Sequence, residues 1–344
     1  MRIVIVTDAW HPQVNGVVTT LSKVGAALAE KGHSVRYVTP ADFRTVPCPT
    51  YPEIRLALRP GPRLRHIVRT VAPDAIHIAT EGPLGWAARA YCLRRKLPFT
   101  TAYHTQFPQY VRLRAPIPLR VSYALLRRYH GAASRTLVAT ESLRQELTER
   151  GFRNLSLWSR GVDSTLFRPR DKHYLDLPRP IAMYVGRVAV EKNIEAFLKL
   201  ELPGSKVVVG DGPDLARLKQ AYPDAHFVGY QSGERLAKHV AAADVSVFPS
   251  LTDTFGLTML EAMACGVPVA AYPVTGPKDV VQHGVTGILD TDLAKACQAA
   301  LQLDGQACIA FAQSRSWDAC AEQFLTELEP FRWPEDRPRE QPAA

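Results

Sequence analysis

Apolar runs of four or five residues recur along the chain, each followed by a polar turn and then by a stretch whose apolar positions return every three or four residues. The first run, RIVIV (2–6), passes through a loop into VVTTLSKVGAALAEKG (17–32) and then SVRYVT (34–39), with Gly32 and His33 at the turn. Strand, helix and strand in that order make a βαβ unit. The scheme continues through AIHIA (75–79), GWAARAYCLRRK (85–96), PFTTAYHT (98–105), a long basic segment, TLVAT (136–140) and ESLRQELTERG (141–151). Near residue 170 it loosens into the polar, Pro-containing RPRDKHYLDLPRP and restarts at IAMYVGR (181–187). From there it repeats as KVVVGDG, AHFVGY, DVSVFPS, GLTMLEAMACG and PVAAY, with terminal helices to about Pro330.

This alternation predicts an α/β protein of two Rossmann-like, doubly wound domains. The expected bounds are 1–170 and 171–332, with the last helix returning to the first domain. Residues 333–344 lack apolar periodicity and read as a disordered tail. Open parallel sheets bind ligands beyond the carboxyl ends of their strands, so two such domains facing each other would enclose an interdomain cleft.

Composition narrows the class. At 344 residues and 46% hydrophobic content the chain can bury two ordinary cores. No apolar run approaches the roughly 20 residues of a membrane-spanning helix, and RIVIV is too short for a signal peptide, so a cytoplasmic location is expected. Cys48, Cys92, Cys265, Cys297, Cys308 and Cys320 form no C-x-x-C pair and several fall in apolar patterns, which points to plain buried thiols. The net charge of +9 is uneven. Residues 1–170 hold 26 Lys and Arg against 10 Asp and Glu, a balance of +16, and the remainder is −7. One half is therefore expected to face something anionic, either nucleic acid or a lipid headgroup surface.

Several segments carry candidate chemistry. In PSLTDTFGLTMLEAMACGVP (249–268), Asp253 and Glu261 stand eight apart, with Phe255, Gly256 and Leu257 opening a helix between them. That spacing, a little over two turns, can place both acids on one ligand-facing side, and amides at the helix start can meet an anion or sugar hydroxyls. In VGRVAVEKN (185–193), Arg187 and Lys192 follow a strand's carboxyl end, where two cations suit a diphosphate. The loop TDAWHPQVNGVV sets Gly16 before the first helix, and His104 follows the strand in AYHTQFPQY. Glu81, in ATEGPLG, reads either as a helix cap or as an acceptor contact. Asp290-Thr291-Asp292 has the form of a metal-binding D-x-D but reads as a helix N-terminus, and Gly210-Asp211-Gly212 as a strand-to-helix turn. No metal site is expected.

The 249–268 segment resembles glycosyltransferase family 4, the retaining enzymes of GT-B fold whose motif is two acids separated by seven residues. Asp253 stands where that family usually has Glu. The resemblance runs from Met1 to about Leu328, with VGRVAVEKN, SRGVDSTLF (159–167) and HFVGY (226–230) in the family's order. It implies that Arg187 and Lys192 hold the donor's phosphates and offset charge on the leaving group without a metal. It also implies that the Gly16 loop lines the cleft, that His104 positions hydroxyls beside the donor sugar, and that HFVGY meets the base through its backbone. Asp253, Phe255, Gly256, Leu257 and Glu261 become donor-binding positions.

The wording YHT and TDTFG is most similar to lipid-directed members, such as sulfoquinovosyl-, glucosyl- and glucuronosyl-diacylglycerol synthases and phosphatidylinositol mannosyltransferases. The implied activity is transfer of a hexose or hexuronic acid from a UDP-sugar to a membrane lipid such as diacylglycerol, with no cofactor. GDP-mannose-dependent mannosyl transfer is the alternative within the class, and basic nucleic-acid binding the alternative outside it. The segment 110–129 interleaves Arg112, Arg114, Arg120, Arg127 and Arg128 with Leu, Val, Ile and Tyr, as an interfacial contact with an anionic membrane requires. The expected state is a monomer, peripheral on the cytoplasmic face, with no specific nucleic-acid partner.

Overall fold

The computed structural model describes residues 1–48, 51–114 and 116–333, without the side chains of 51–53, 113 and 114. Arg114, one of the expected membrane cations, therefore has a side chain outside the described residues, as do residues 334–344 of the expected tail. The described residues form two compact units, Met1–Ser159 with the chain from Cys320 to Trp333, and Arg160–Ala319.

The first unit is built on a six-stranded parallel sheet. Its strands are β1 (Arg2–Val6), β2 (Ser34–Val38), β5 (Ala75–Ile78), β6 (Thr100–Tyr103), β7 (Arg135–Val138) and β8 (Leu155–Leu157). They lie in the order β2-β1-β5-β6-β7-β8. A separate antiparallel ribbon, β3 (Thr45–Cys48) with β4 (Tyr51–Ala57), interrupts the alternation. Continuous apolar runs suit strands covered on both faces, and Ile3, Val4, Ile5 and Val6 are fully buried. The helix Gly16–Glu30 starts where it does because the Asn15 side chain accepts from the Val17 and Val18 amides, both at 3.0 Å.

The second unit carries β9 (Ile181–Val185), β10 (Ser205–Val209), β11 (His226–Gly229), β12 (Val245–Phe248), β13 (Val269–Ala271) and β14 (Gly287–Leu289). Their order, β11-β10-β9-β12-β13-β14, is that of a dinucleotide-binding Rossmann sheet. Ala182, Tyr184, Val208, Val245, Val247 and Ala270 from its strands pack with Phe197, Leu218 and Leu293 into one core.

The structure moves the first boundary from 170 to Ser159/Arg160. The polar stretch expected to be a linker is sewn onto the second unit. The Val162 amide donates to the Arg315 carbonyl at 2.9 Å, Arg170 pairs with Glu234 at 2.9 Å, and the Lys172 ammonium donates to the Ala243 carbonyl at 2.5 Å. The helix Trp317–Glu327 carries the chain back to the first unit. There the indole N–H of the fully buried Trp158 donates to the Cys320 carbonyl at 3.1 Å, and Phe324 lies against His77. Trp333, expected in the tail, packs with Phe331 against the first core and donates from its indole N–H to the Pro73 carbonyl at 2.6 Å.

Candidate active site

A doubly wound sheet has a crevice where neighbouring strands send their connections to opposite sides. In the second unit that point lies between β9 and β12, and two of the residues picked out by the sequence, Lys192 and Asp253, meet there. Arg187 and Lys192 follow β9, and Asp253 follows β12. The Lys192 ammonium meets Asp253 Oδ1 at 2.5 Å, with the two side chains 20% and 17% exposed. Asp253 Oδ2 is buried with no hydrogen-bond partner among the described residues.

The two loops are held in register by several bonds. Asn193, at φ 53°, donates from its side chain to the Pro249 carbonyl at 3.0 Å, and Thr252 donates to the Glu191 carbonyl at 3.3 Å. The Tyr184 hydroxyl donates to the Arg187 carbonyl at 2.8 Å and fixes the turn after β9. Close approach of backbone is part of the construction. Gly210, after β10, sits at φ 150° where a Cβ would lie 1.8 Å from the Gly186 carbonyl oxygen, so no other residue fits. Gly256, at φ 91°, opens the helix Leu257–Ala264, which carries Glu261 as a half-buried side chain. Phe255 is buried beneath it, and Gly256 and Leu257 are half exposed at the helix start.

The corresponding point of the first unit lies between β1 and β5. Here the carboxylate of Asp8, almost fully buried, accepts from the Leu84 amide at 2.9 Å, the Gly85 amide at 3.3 Å and the Thr80 hydroxyl at 3.0 Å. Burial pushes its pKa up, against the pull of those donors. Asp8, not Glu81, is thus the carboxylate at the start of the helix Pro83–Arg95. Glu81 instead turns to His130, Oε1 to Nε2 at 3.1 Å, and the helix-cap reading of Glu81 is corrected accordingly. Gly16 is exposed at the start of its helix, and His104, at the end of β6, sets its ring edge-on to Trp158 at 5.7 Å.

Two segment patterns match the chain. Residues 14–166 match the family described as Glycosyltransferase Family 4, and residues 179–303 match Glycosyl transferases group 1. A GDP-mannose-dependent alpha-mannosyltransferase of Mycobacterium tuberculosis is 31% identical over 315 residues, covering 84% of this chain and 83% of that protein. The chain belongs to glycosyltransferase family 4. A sulfoquinovosyl transferase of Arabidopsis thaliana is 33% identical to this glycosyltransferase over 267 residues, which cover 72% of this chain and 52% of the plant protein. In fold the family member is similar to a sucrose-phosphate synthase of Thermosynechococcus elongatus, with a TM-score of 0.78, 24% identity and coverage of 94% and 97% of the two chains. The fold is GT-B, two Rossmann-like units.

Against this background the decoys of the glycosyltransferase have plain roles. Asp292 caps the helix Leu293–Ala300 by accepting from the Ala294 and Lys295 amides, and Asp290 accepts from the Asp292 amide at 2.8 Å. Among the described residues no three His, Cys, Asp or Glu side chains gather as a metal site. The thiols of Cys92, Cys265 and Cys297 are pushed up to about 12 by burial, consistent with packing roles. Sequence reading missed Asp8 and His130, which lie in unremarkable wording, and took Gly210 for an ordinary turn. The G-D-G spacing after a strand was the available signal for Gly210.

Proposed function

We propose that the second unit binds a nucleoside diphosphate sugar and that the enzyme transfers the sugar, with retention, to a hydroxyl of a membrane lipid such as diacylglycerol. The observation that carries the donor assignment is the Lys192–Asp253 contact at the switch point, beside Arg187 and the helix start at Gly256–Leu257. A cation fixed by a carboxylate sits where a diphosphate would lie, and the carboxylate can receive a sugar hydroxyl. Glu261 is assigned to ribose hydroxyls, and His104 to hydroxyls of the transferred sugar.

In the proposed reaction the bond from the anomeric carbon to the phosphate oxygen breaks, and the bond to the acceptor oxygen forms on the same face of the sugar. The acceptor's proton passes to the departing phosphate. Arg187 and Lys192 offset the charge that grows there, which is electrostatic stabilisation by groups already in place. No metal enters this scheme.

Support for a lipid acceptor comes from the first unit. No carboxylate stands between Glu81 and Glu141, a stretch that contains Arg112, Arg114, Arg120, Arg127 and Arg128. Arg112, Arg120 and Arg128 are exposed, and with them Ile117, Val121 and Leu125 at 42%, 53% and 54%. Cations beside exposed apolar groups fit an anionic bilayer surface, and a groove-reading motif for nucleic acid is lacking. Arg127 is also exposed, but its guanidinium donates to the Arg150 carbonyl at 2.8 Å, so it contributes less. Among the described residues no helix is long and apolar enough to cross a membrane.

UDP-sugars remain the first choice of donor on the lipid-directed wording of the sequence. The extended likeness to a GDP-mannose-dependent enzyme favours GDP-mannose as a second reading. A screen of UDP-glucose, UDP-glucuronate, UDP-sulfoquinovose and GDP-mannose against extracted lipid, with NMR of the product's anomeric configuration, tests the proposal. Absence of transfer to any lipid, or an inverted product, would sink it.

A further inference from the structure

Glu81 ends a line of buried polar groups that the donor chemistry does not use. His130, the last residue of the helix Leu119–His130, is fully buried among Tyr103, Tyr129 and Phe152. Its Nδ1 lies 2.9 Å from the Thr101 hydroxyl, and that hydroxyl lies 3.0 Å from the hydroxyl of Thr136. Thr101 and Thr136 are register partners on β6 and β7, and both are fully buried. The remaining ring nitrogen, Nε2, holds Glu81 Oε1 at 3.1 Å.

An imidazole in an aromatic cage costs desolvation that a leucine or phenylalanine there would not. A satisfied buried network fixes one geometry, and its value lies in whatever that geometry presents. Of the four side chains in this line only Glu81 reaches solvent, at 16% exposure. Among the described residues its carboxylate has no bond besides the one to His130, which leaves Oε2 able to accept. The loop bearing it follows β5, whose neighbours in the sheet are β1 and β6, so Glu81 stands at the switch point of the first unit, beside the strand that His104 follows. Asp8, the other carboxylate of this edge, is already occupied by the Leu84 and Gly85 amides and the Thr80 hydroxyl.

We propose that Glu81 binds the acceptor's hydroxyl through Oε2 and that His130 is a positioning residue which holds the carboxylate for that bond. This rests on the proposed transfer to a lipid hydroxyl, whose support lies in the first unit, and it adds the chemical group that receives that hydroxyl. A freely rotating glutamate would lose rotamer entropy on each binding event, and the imidazole removes most of that freedom beforehand.

The test uses the full chain with dioleoylglycerol in phosphatidylcholine and phosphatidylglycerol vesicles, and with whichever of UDP-glucose and GDP-mannose the wild type consumes. Glu81→Gln should raise the acceptor KM roughly tenfold or more, the scale of a lost bond to a charged group, and His130→Gln should move it in the same direction. UDP or GDP affinity by calorimetry should stay within about twofold of wild type for both, since those ligands are bound by the other unit. The double variant should be no worse than Glu81→Gln, because the two side chains act as one device. Unchanged acceptor KM in Glu81→Gln overturns the proposal even if His130→Gln fails to fold. Fully additive losses overturn the positioning role. If the wild type ignores diacylglycerol but glycosylates n-octyl glucoside, the lipid reading fails and the same KM comparison is made on that soluble alcohol. Transfer to neither acceptor overturns both.

Discussion

Replacing Lys192 by Met keeps the aliphatic stem and removes the charge, and the structure separates its consequences for stability and for rate. Asp253 loses the ammonium 2.5 Å from Oδ1 while Oδ2 is already buried without a hydrogen-bond partner among the described residues. Exposed ion pairs contribute about 0–1 kcal/mol, and breaking a buried one costs about 3–5 kcal/mol. At 20% and 17% exposure this pair falls between those limits, and about 2 kcal/mol of destabilisation is expected. For a unit of this size that corresponds to a Tm lower by about 4–8 °C. Turnover should fall by roughly 10² to 10³, the scale for one lost group at a site of developing charge. The double variant Lys192→Met with Asp253→Asn removes the stranded carboxylate, so it should recover most of the lost Tm and none of the lost turnover. Thermal melts followed by tryptophan fluorescence, run beside single-turnover product assays, read the two effects separately. Near-native turnover in folded Lys192→Met, or recovery of turnover in the double variant, would refute the diphosphate assignment.

Other outcomes follow from the same geometry. Gly256→Ala places a Cβ 2.6 Å from the Met259 methyl and 2.7 Å from the Phe248 ring at φ 91°, so a loss of about 1–3 kcal/mol and weaker nucleotide binding are expected by melting and calorimetry. Glu261→Gln should weaken nucleotide affinity with helical content unchanged, because an amide matches ribose hydroxyls less well than a carboxylate, and unaltered calorimetry would remove Glu261 from the site. Exchanging Arg112, Arg114, Arg120, Arg127 and Arg128 for Gln should release the protein from phosphatidylglycerol vesicles, as should salt, at about 1 kcal/mol per cation; sedimentation that does not change would exclude this surface. Asp8 has a folded pKa raised above its ordinary 3.8, so the folded state keeps that proton to higher pH than the unfolded chain does. Its contribution is therefore favourable below 3.8 and is lost as pH rises through the folded value. Asp8→Asn should flatten that part of the urea stability profile.

The periodicity of the chain gave up most of the architecture because central parallel strands are apolar throughout. RIVIV and IAMYV became β1 and β9, interior strands of their sheets with a parallel neighbour on each side. The ribbon of β3 and β4 was not read, since Pro47, Pro49 and Pro52 break any regular alternation. The boundary was misplaced for a different reason. Polarity and proline marked residues 168–180 as exposed, but exposure does not say which unit a segment is bonded to, and here Arg170 and Lys172 decide it. In the site, spacing brought out Arg187, Lys192, Asp253 and Glu261, which lie near one another in sequence or follow neighbouring strands. His130 could not be seen that way. Its partners Glu81, Thr101 and Thr136 come from three other elements, and a lone histidine at the end of a basic, amphipathic helix looks like one more polar residue until the fold supplies them.

The return of the chain to its first unit has a consequence during synthesis. The slot that holds Phe324 against His77 and Trp158 belongs to strands made early, whereas Phe324 leaves the ribosome only after the whole of Arg160–Ala319. At about 5–20 residues per second the slot stays open for about 10–30 s. For that time the nascent chain displays an aromatic surface, with the Trp158 indole N–H awaiting the Cys320 carbonyl. Such an intermediate is a natural client for a ribosome-associated chaperone. A stop codon ahead of Cys320 would make the open state permanent, so loss of the helix Trp317–Glu327 should appear in cells as aggregation of a protein that still carries every residue proposed to bind the donor.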